Sequence, residues 1–264
     1  MDNYGQHLEV ARRLAQEAGS ILMNFFGRAK VSEKSPQNLV TEADLASEKA
    51  ITRGIQQVFP SHLLLCEEGE STANGYEDDV WVIDPLDATN NYAHGIPHFS
   101  VSIAYARRGR PRIGVIWDPI RKEEFCVQAG QGAFLNDVRI HCSTTKHLEE
   151  SIIATGFYYD RGALMERTLD GIRHLFHRRI RGIRRTGGAA LDLCWTACGR
   201  FDGFFEYELA PWDYAAGALM VQEAGGICTD RSGAPLELTS RHIIAGTGPL
   251  HRALLSAVKW EAIE

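Results

Sequence analysis

The apolar run VWVI (80–83) ends in two aspartates, Asp84 and Asp87, within the segment VWVIDPLDATNNY (80–92). Three other places set acid beside apolar sequence. Glu67 and Glu68 follow LLLC, Asp44 lies in LVTEAD, and Asp213 lies in LAPWDYAAG. Carboxylates at strand ends are costly to desolvate unless positive charge meets them. A hard dication is the natural partner, because Mg²⁺ takes oxygen ligands: a few carboxylates, waters and substrate phosphate. Each acid also has a purely structural reading. D-P-x-D is a good helix start, with Asp84 as N-cap, Pro85 at N1 and Asp87 in the first turn. T-E-A-D (41–44) reads as a capping box with Thr41 as the cap. Asp213 can be a first-turn acid, and Glu67–Glu68 a solvated loop edge. Helix start and metal site do not exclude each other, since exposed amides at a helix N-terminus beside a metal form a phosphate site. Ala88, Thr89 and Asn90 then offer amides, and the Thr89 hydroxyl can orient a water.

Stepping outward, the spacing predicts the elements that carry these acids. Leu8, Ala11, Ala15, Ala18, Leu22 and Phe25 recur at helical spacing and Gly27 stops the helix. KVSEKSPQN reads as a polar loop. LVTEADLASEKAITRGIQQVF reads as a second helix, closed by Pro60. Strands are expected at 62–66 and 80–83, with an acidic loop between them. Strands at 100–106, 112–118 and 123–128 suggest an antiparallel meander. After about residue 147 strands (SIIAT, RIRGI, DGFFE, GICT, HIIAG) alternate with helices at 163–177, 188–199, 213–224 and from 249. That alternation reads as an α/β half. Two interlocked halves are expected, 1–147 and 148–264.

With 264 residues and 44% apolar content the chain can bury a sizeable core. Lysine plus arginine number 28 and aspartate plus glutamate 34, a net charge of −6. This mild acidity gives no global reason to expect nucleic acid or a membrane as partner. No run approaches a membrane span. The polar, amphipathic start shows no secretory signal. The six cysteines show no CxxC pair, so they read as reduced core thiols of a cytoplasmic protein. Cys194 and Cys198 share a helix face, yet nothing at ligand spacing completes a metal site, and packing is the expected role.

Taken in order, CEE (66–68), WVIDPLDATNN (81–91) and PWDYAAGALMVQEAGG (211–226) resemble the inositol monophosphatase family of Mg²⁺-dependent phosphomonoesterases. NLVTEAD (38–44) and RRTGGAALDL (184–193) match two further family segments, and HGIPHFSVSIA (94–104) resembles the bacterial inositol-phosphate type. The resemblance covers nearly the whole chain. It implies an α/β fold of the α+β layered kind, an αβαβα sandwich. It also implies hydrolysis of a small phosphate monoester of the myo-inositol 1-phosphate type, with lithium sensitivity and a homodimer. The reaction implied is direct attack of a metal-activated water on phosphorus.

Two to three Mg²⁺ ions are implied, with Glu67, Asp84 and the Leu86 carbonyl on one, Asp84, Asp87 and Asp213 on a second, and Glu67 on a looser third. Thr89 and Asp44 would orient the water, Glu67 would assist in taking its proton, and the amides of Ala88 and Thr89 would cradle phosphate. Gly187, Gly188, Ala189 and Glu206, with Asp213, would face the alcohol. Lys34 lies on a segment the family uses as a flap. One departure stands out: the family's glycine after the second aspartate is Ala88 here, which keeps the amide but suits negative φ. Glu206 also reads as a strand-edge acid, with Glu208 nearby, and His94 and His98 read as loop or packing residues. A histidinol-phosphate phosphatase on the same scaffold is the alternative substrate reading. A non-enzymatic alternative rests on Arg173, Arg178, Arg179, Arg181, Arg184 and Arg185, a local basic excess suited to RNA or an acidic partner.

Overall fold

The computed structural model describes residues 4–35, 38–69, 71–73, 75–76, 78–159 and 161–259. The helical periodicity near the start produces α1 (Gly5–Phe25), whose face Val10, Leu14, Ala18 and Leu22 is buried. Gly27 ends it with φ +77°. An antiparallel hairpin, exposed β1 (Val31–Ser35) and half-buried β2 (Asn38–Thr41), stands where a polar loop and the first residues of the second helix are expected. The connecting residues 36 and 37 lie outside the described residues. β2 runs directly into α2 (Glu42–Val58) through the expected capping box. The Thr41 hydroxyl accepts from the Ala43 amide, and Asp44 accepts from the Thr41 amide at 2.8 Å.

A seven-stranded sheet follows. Its strands are β3 (Leu63–Cys66), β4 (Asp79–Asp87), β5 (Ser100–Arg107), β6 (Arg110–Asp118), β7 (Glu123–Gln128), β8 (Gly132–Leu135) and β9 (Val138–Arg139), in that spatial order. β3 and β4 are parallel, and the rest form the expected antiparallel meander, extended by β8 and β9. The short α3 (Thr89–Ala93) joins β4 to β5. The later chain supplies β10 (Ile152–Thr155), α4 (Ala163–His177), β11 (Gly182–Arg184), α5 (Ala189–Ala197), β12 (Gly203–Tyr207), α6 (Pro211–Glu223), β13 (Ile227–Thr229), β14 (His242–Gly246) and α7 (Gly248–Val258). Its strands form a mixed five-stranded sheet in the order β11-β10-β12-β14-β13.

The layers run α1/α2, seven-stranded sheet, α5/α6, five-stranded sheet, α4/α7, which is the αβαβα sandwich. Three apolar cores fill the gaps. The largest clothes both sheets with α5 and α6, so those helices are apolar nearly all round. α1 and α2 cover the outer face of the larger sheet, and α4 and α7 that of the smaller. All six cysteines are free thiols, and Cys194 sits in the central core.

One expectation is overturned. Asp84, Pro85 and Asp87 do not start a helix. β4 continues through all three, and Asp87 pairs with Ser100. The register breaks between Asp84 and Asp87, and a bulge accommodates the proline, which has no amide to give the ladder. The helix begins later, at Thr89, capped by Ala88 in the left-handed region (φ +73°). Smaller differences lie at element ends: α6 starts at Pro211, and β11 is confined to Gly182–Arg184, the last two residues of RIRGI and the arginine after them.

Candidate active site

Acids from β3, β4 and α6 converge on one cleft of about 280 Å³. The β4 bulge lets Asp84 and Asp87, three residues apart, both line it. Glu67 arrives from the end of β3, where its amide donates to the Ile83 carbonyl at 3.2 Å. Asp213 arrives from the first turn of α6, and its carboxylate accepts from the Ala210 amide at 2.6 Å. It is therefore both a first-turn acid and a cleft residue. The Leu86 carbonyl belongs to the same bulge, and Leu86 lines the cleft.

Asp84 is 1% exposed, and its contacts are the Leu86 amide at 3.0 Å and the carboxyl group of Glu67. Burial, then the charges of Glu67 and Asp87, push its pKa well above the usual carboxylate range. Burial and Asp213 raise Glu67 to about 7. Burial raises Asp87 to about 7 against donors from Ala190 (3.2 Å) and Ser100 (3.3 Å). Asp213 is raised to about 7 by burial, with Asp87 adding to it. A nest of oxygen donors that cannot all ionise by themselves is the donor chemistry of a hard divalent cation, and the residues fit one.

Glu67 and Glu68 separate cleanly. Glu67 lines the cleft. Glu68 turns to pair with Lys34 from the β1–β2 hairpin, whose ammonium also lies 3.7 Å from Glu67. Thr89 lines the cleft, and its hydroxyl lies 3.0 Å from the Leu86 carbonyl and 3.2 Å from Asp44. Asp44 does not reach the cleft. It is wholly buried at the start of α2, and its link to the site is Thr89. Ala88, Gly187, Gly188 and Ala189 line the opposite rim. A Cβ on Gly188 would stand 2.8 Å from an Asp87 oxygen and 3.2 Å from the Ala88 Cβ.

Glu206 is not an edge acid. It lies on the central strand β12, 9% exposed, facing the cleft. Its burial, and next the nearby Asp192, raise its pKa well above the usual range. Glu208 also lines the cleft but is paired with Arg241 at 2.7 Å. His94 and His98 lie outside the cleft. His94 is exposed and contacts the Asn90 carbonyl, and His98 packs edge-on against Trp195.

Sequence reasoning missed four cleft residues. Gly156 has no room for a side chain, because a Cβ would fall 2.1 Å from the Glu206 carboxylate. Its signal was a glycine directly after a strand. Asp192, Arg185 and Tyr159 also line the cleft. Asp192 and Arg185 stand inside RRTGGAALDL, but no local spacing marks them out. Elsewhere, Glu124, Cys126 and Asp137 draw together, and their cation is already present. Arg12 reaches Glu124 at 2.6 Å and Asp137 at 2.9 Å.

Residues 3–264 match the model of the inositol monophosphatase family. The chain is 41% identical over 261 residues to Nus factor SuhB of Pseudomonas aeruginosa, covering 96% of this chain and 95% of that protein. It superposes on the crystal structure of extragenic suppressor protein suhB from Bartonella henselae with a TM-score of 0.91, at 39% identity, covering 97% and 99% of the two chains. Against the inositol monophosphatase of Anabaena the TM-score is 0.85 at 38% identity, covering 97% and 96%. By sequence and by fold together, this chain belongs to the inositol monophosphatase family.

Proposed function

We propose that the protein is a Mg²⁺-dependent phosphomonoesterase that hydrolyses an inositol monophosphate of the 1-phosphate type to inositol and phosphate. The observation that carries this reading is the convergence of Glu67, Asp84, Asp87 and Asp213 on the cleft that Thr89 and Glu206 also face. Glu67, Asp84, the Leu86 carbonyl, Asp87 and Asp213 would hold two to three ions. The ions supply Lewis-acid activation of water and neutralise phosphate charge. The Thr89 hydroxyl gives its proton to Asp44 or to the Leu86 carbonyl, so its lone pair is left to accept from the attacking water and orient it. Glu67 assists in taking that water's proton. The amides of Ala88 and Thr89 hold the phosphate. Glu206 accepts hydrogen bonds from the alcohol, whose ring lies along Gly187, Gly188 and Ala189. Lithium inhibition, a homodimer, and a division near residue 147 into a metal-binding half and a substrate-completing half belong to the same proposal.

The test is phosphate release with and without Mg²⁺ from inositol 1-phosphate, histidinol phosphate and fructose 1,6-bisphosphate, with Asp87→Asn as blank. Mg²⁺-dependent release that prefers inositol 1-phosphate and vanishes in the variant is expected. Preference for histidinol phosphate would replace the substrate and keep the chemistry. A second reading is favoured by the relatives named Nus factor and by six exposed arginines, Arg173, Arg178, Arg179, Arg181, Arg184 and Arg185. It is a binding role toward RNA or an acidic protein. RNA binding that weakens steeply with salt and is lost on replacing Arg178, Arg179 and Arg181 would support it.

A further inference from the structure

A run of hydrogen bonds passes behind the cleft wall, from Asp192 on the alcohol side to Asn91 beside the phosphate turn. Asp192 on α5 is 1% exposed, and its carboxylate accepts from the Thr186 hydroxyl. The Thr186 carbonyl accepts from the Asn91 side-chain amide at 2.8 Å. The same amide group donates to the His98 carbonyl at 2.8 Å. Asn91 is buried on α3, four residues after Asp87. Thr186 immediately precedes Gly187 and Gly188. Gly187 holds φ +97°, and Gly188 abuts Asp87 and Ala88 with no space for a side chain. The loop facing the alcohol therefore has no side chain of its own by which to keep its distance from the phosphate side. At its far end the Ala190 amide holds it to Asp87. At its near end the hold is Thr186, tied on one side to α5 and on the other to α3.

We infer that Asp192, Thr186 and Asn91 are positioning residues that fix the Gly187–Ala189 loop against the Asp87–Thr89 turn, setting the register between leaving alcohol and phosphate. This rests on the phosphomonoesterase reading. A misregistered loop affects esters that use it and spares those that do not. Thr186→Val and Asp192→Ala should lower kcat/KM for inositol 1-phosphate about tenfold, the kinetic worth of one good hydrogen bond. For phenyl phosphate, which has no ring hydroxyls, the loss should stay below about twofold. Thr186→Ser and Asp192→Asn keep the donor and the acceptor and should restore inositol 1-phosphate turnover. The rise in Tm on adding Mg²⁺ should match wild type in all four variants. Equal loss on both esters, no loss on either, or no rescue by Ser and Asn would overturn the relay. Wild type inert toward both esters would overturn the phosphomonoesterase reading and the relay with it.

Discussion

Ala88 holds its backbone in the left-handed region at φ +73°. A side chain in that region costs about 1–2 kcal/mol. Replacing it by glycine costs roughly 0.5–1 kcal/mol of extra unfolded-state entropy. Ala88→Gly should therefore leave stability unchanged or raise it by up to about 1 kcal/mol, read as an upward shift in denaturant midpoint. Hydrolysis should not fall, since the amide stays in place. Gly156→Ala should do the opposite, driving a methyl group into the Glu206 carboxylate and impairing turnover of inositol 1-phosphate. Asp84→Asn separates stability from function. Removing one of the crowded buried acids should raise the Tm of the metal-free protein while abolishing turnover and the Tm rise with Mg²⁺. A lower metal-free Tm in that variant would contradict the repulsion described here.

At the scale of elements, the turn from β2 into α2 fixes Asp44 behind Thr89. Thr41→Ala removes the cap and one donor to a buried carboxylate, and should cost about 2 kcal/mol in denaturant unfolding. Thr41→Ser should recover most of it. This capping box was legible in the sequence because its bonds span three residues. The acids of the cleft were legible for the same reason, as fixed local spacings at element ends. β4 was misread because Pro85 is a local helix signal that pairing with β5 overrides. The β1–β2 hairpin has no apolar alternation to announce it, as all of β1 is exposed. Gly156 and Asp192 draw their meaning from Glu206 and Thr186, contacts between segments that no local pattern encodes.

For the whole molecule, the raised pKa values of the cleft acids couple metal binding to stability. Glu67, Asp87 and Asp213 titrate near 7 in the folded protein and near 4 when unfolded. Folded groups that hold protons more tightly stabilise the fold below the unfolded value and lose that contribution as pH rises through 7. The metal-free protein should thus show a falling Tm from pH 5 to pH 8, and saturating Mg²⁺ should flatten or reverse the trend. A metal-free Tm that climbs over that range would refute the assignment. The layered order also bears on how the chain is made. The inner face of the seven-stranded sheet, with Val80, Val82, Ala104, Ile116 and Phe125, is clothed chiefly by α5 and α6. The strands leave the ribosome first, and at about 5–20 residues per second that face stands bare for several seconds. The same wait applies to Asp213, so a nascent chain carries a sticky surface and an incomplete metal nest together. α5 begins to cover the face, and α6 both completes that cover and delivers Asp213.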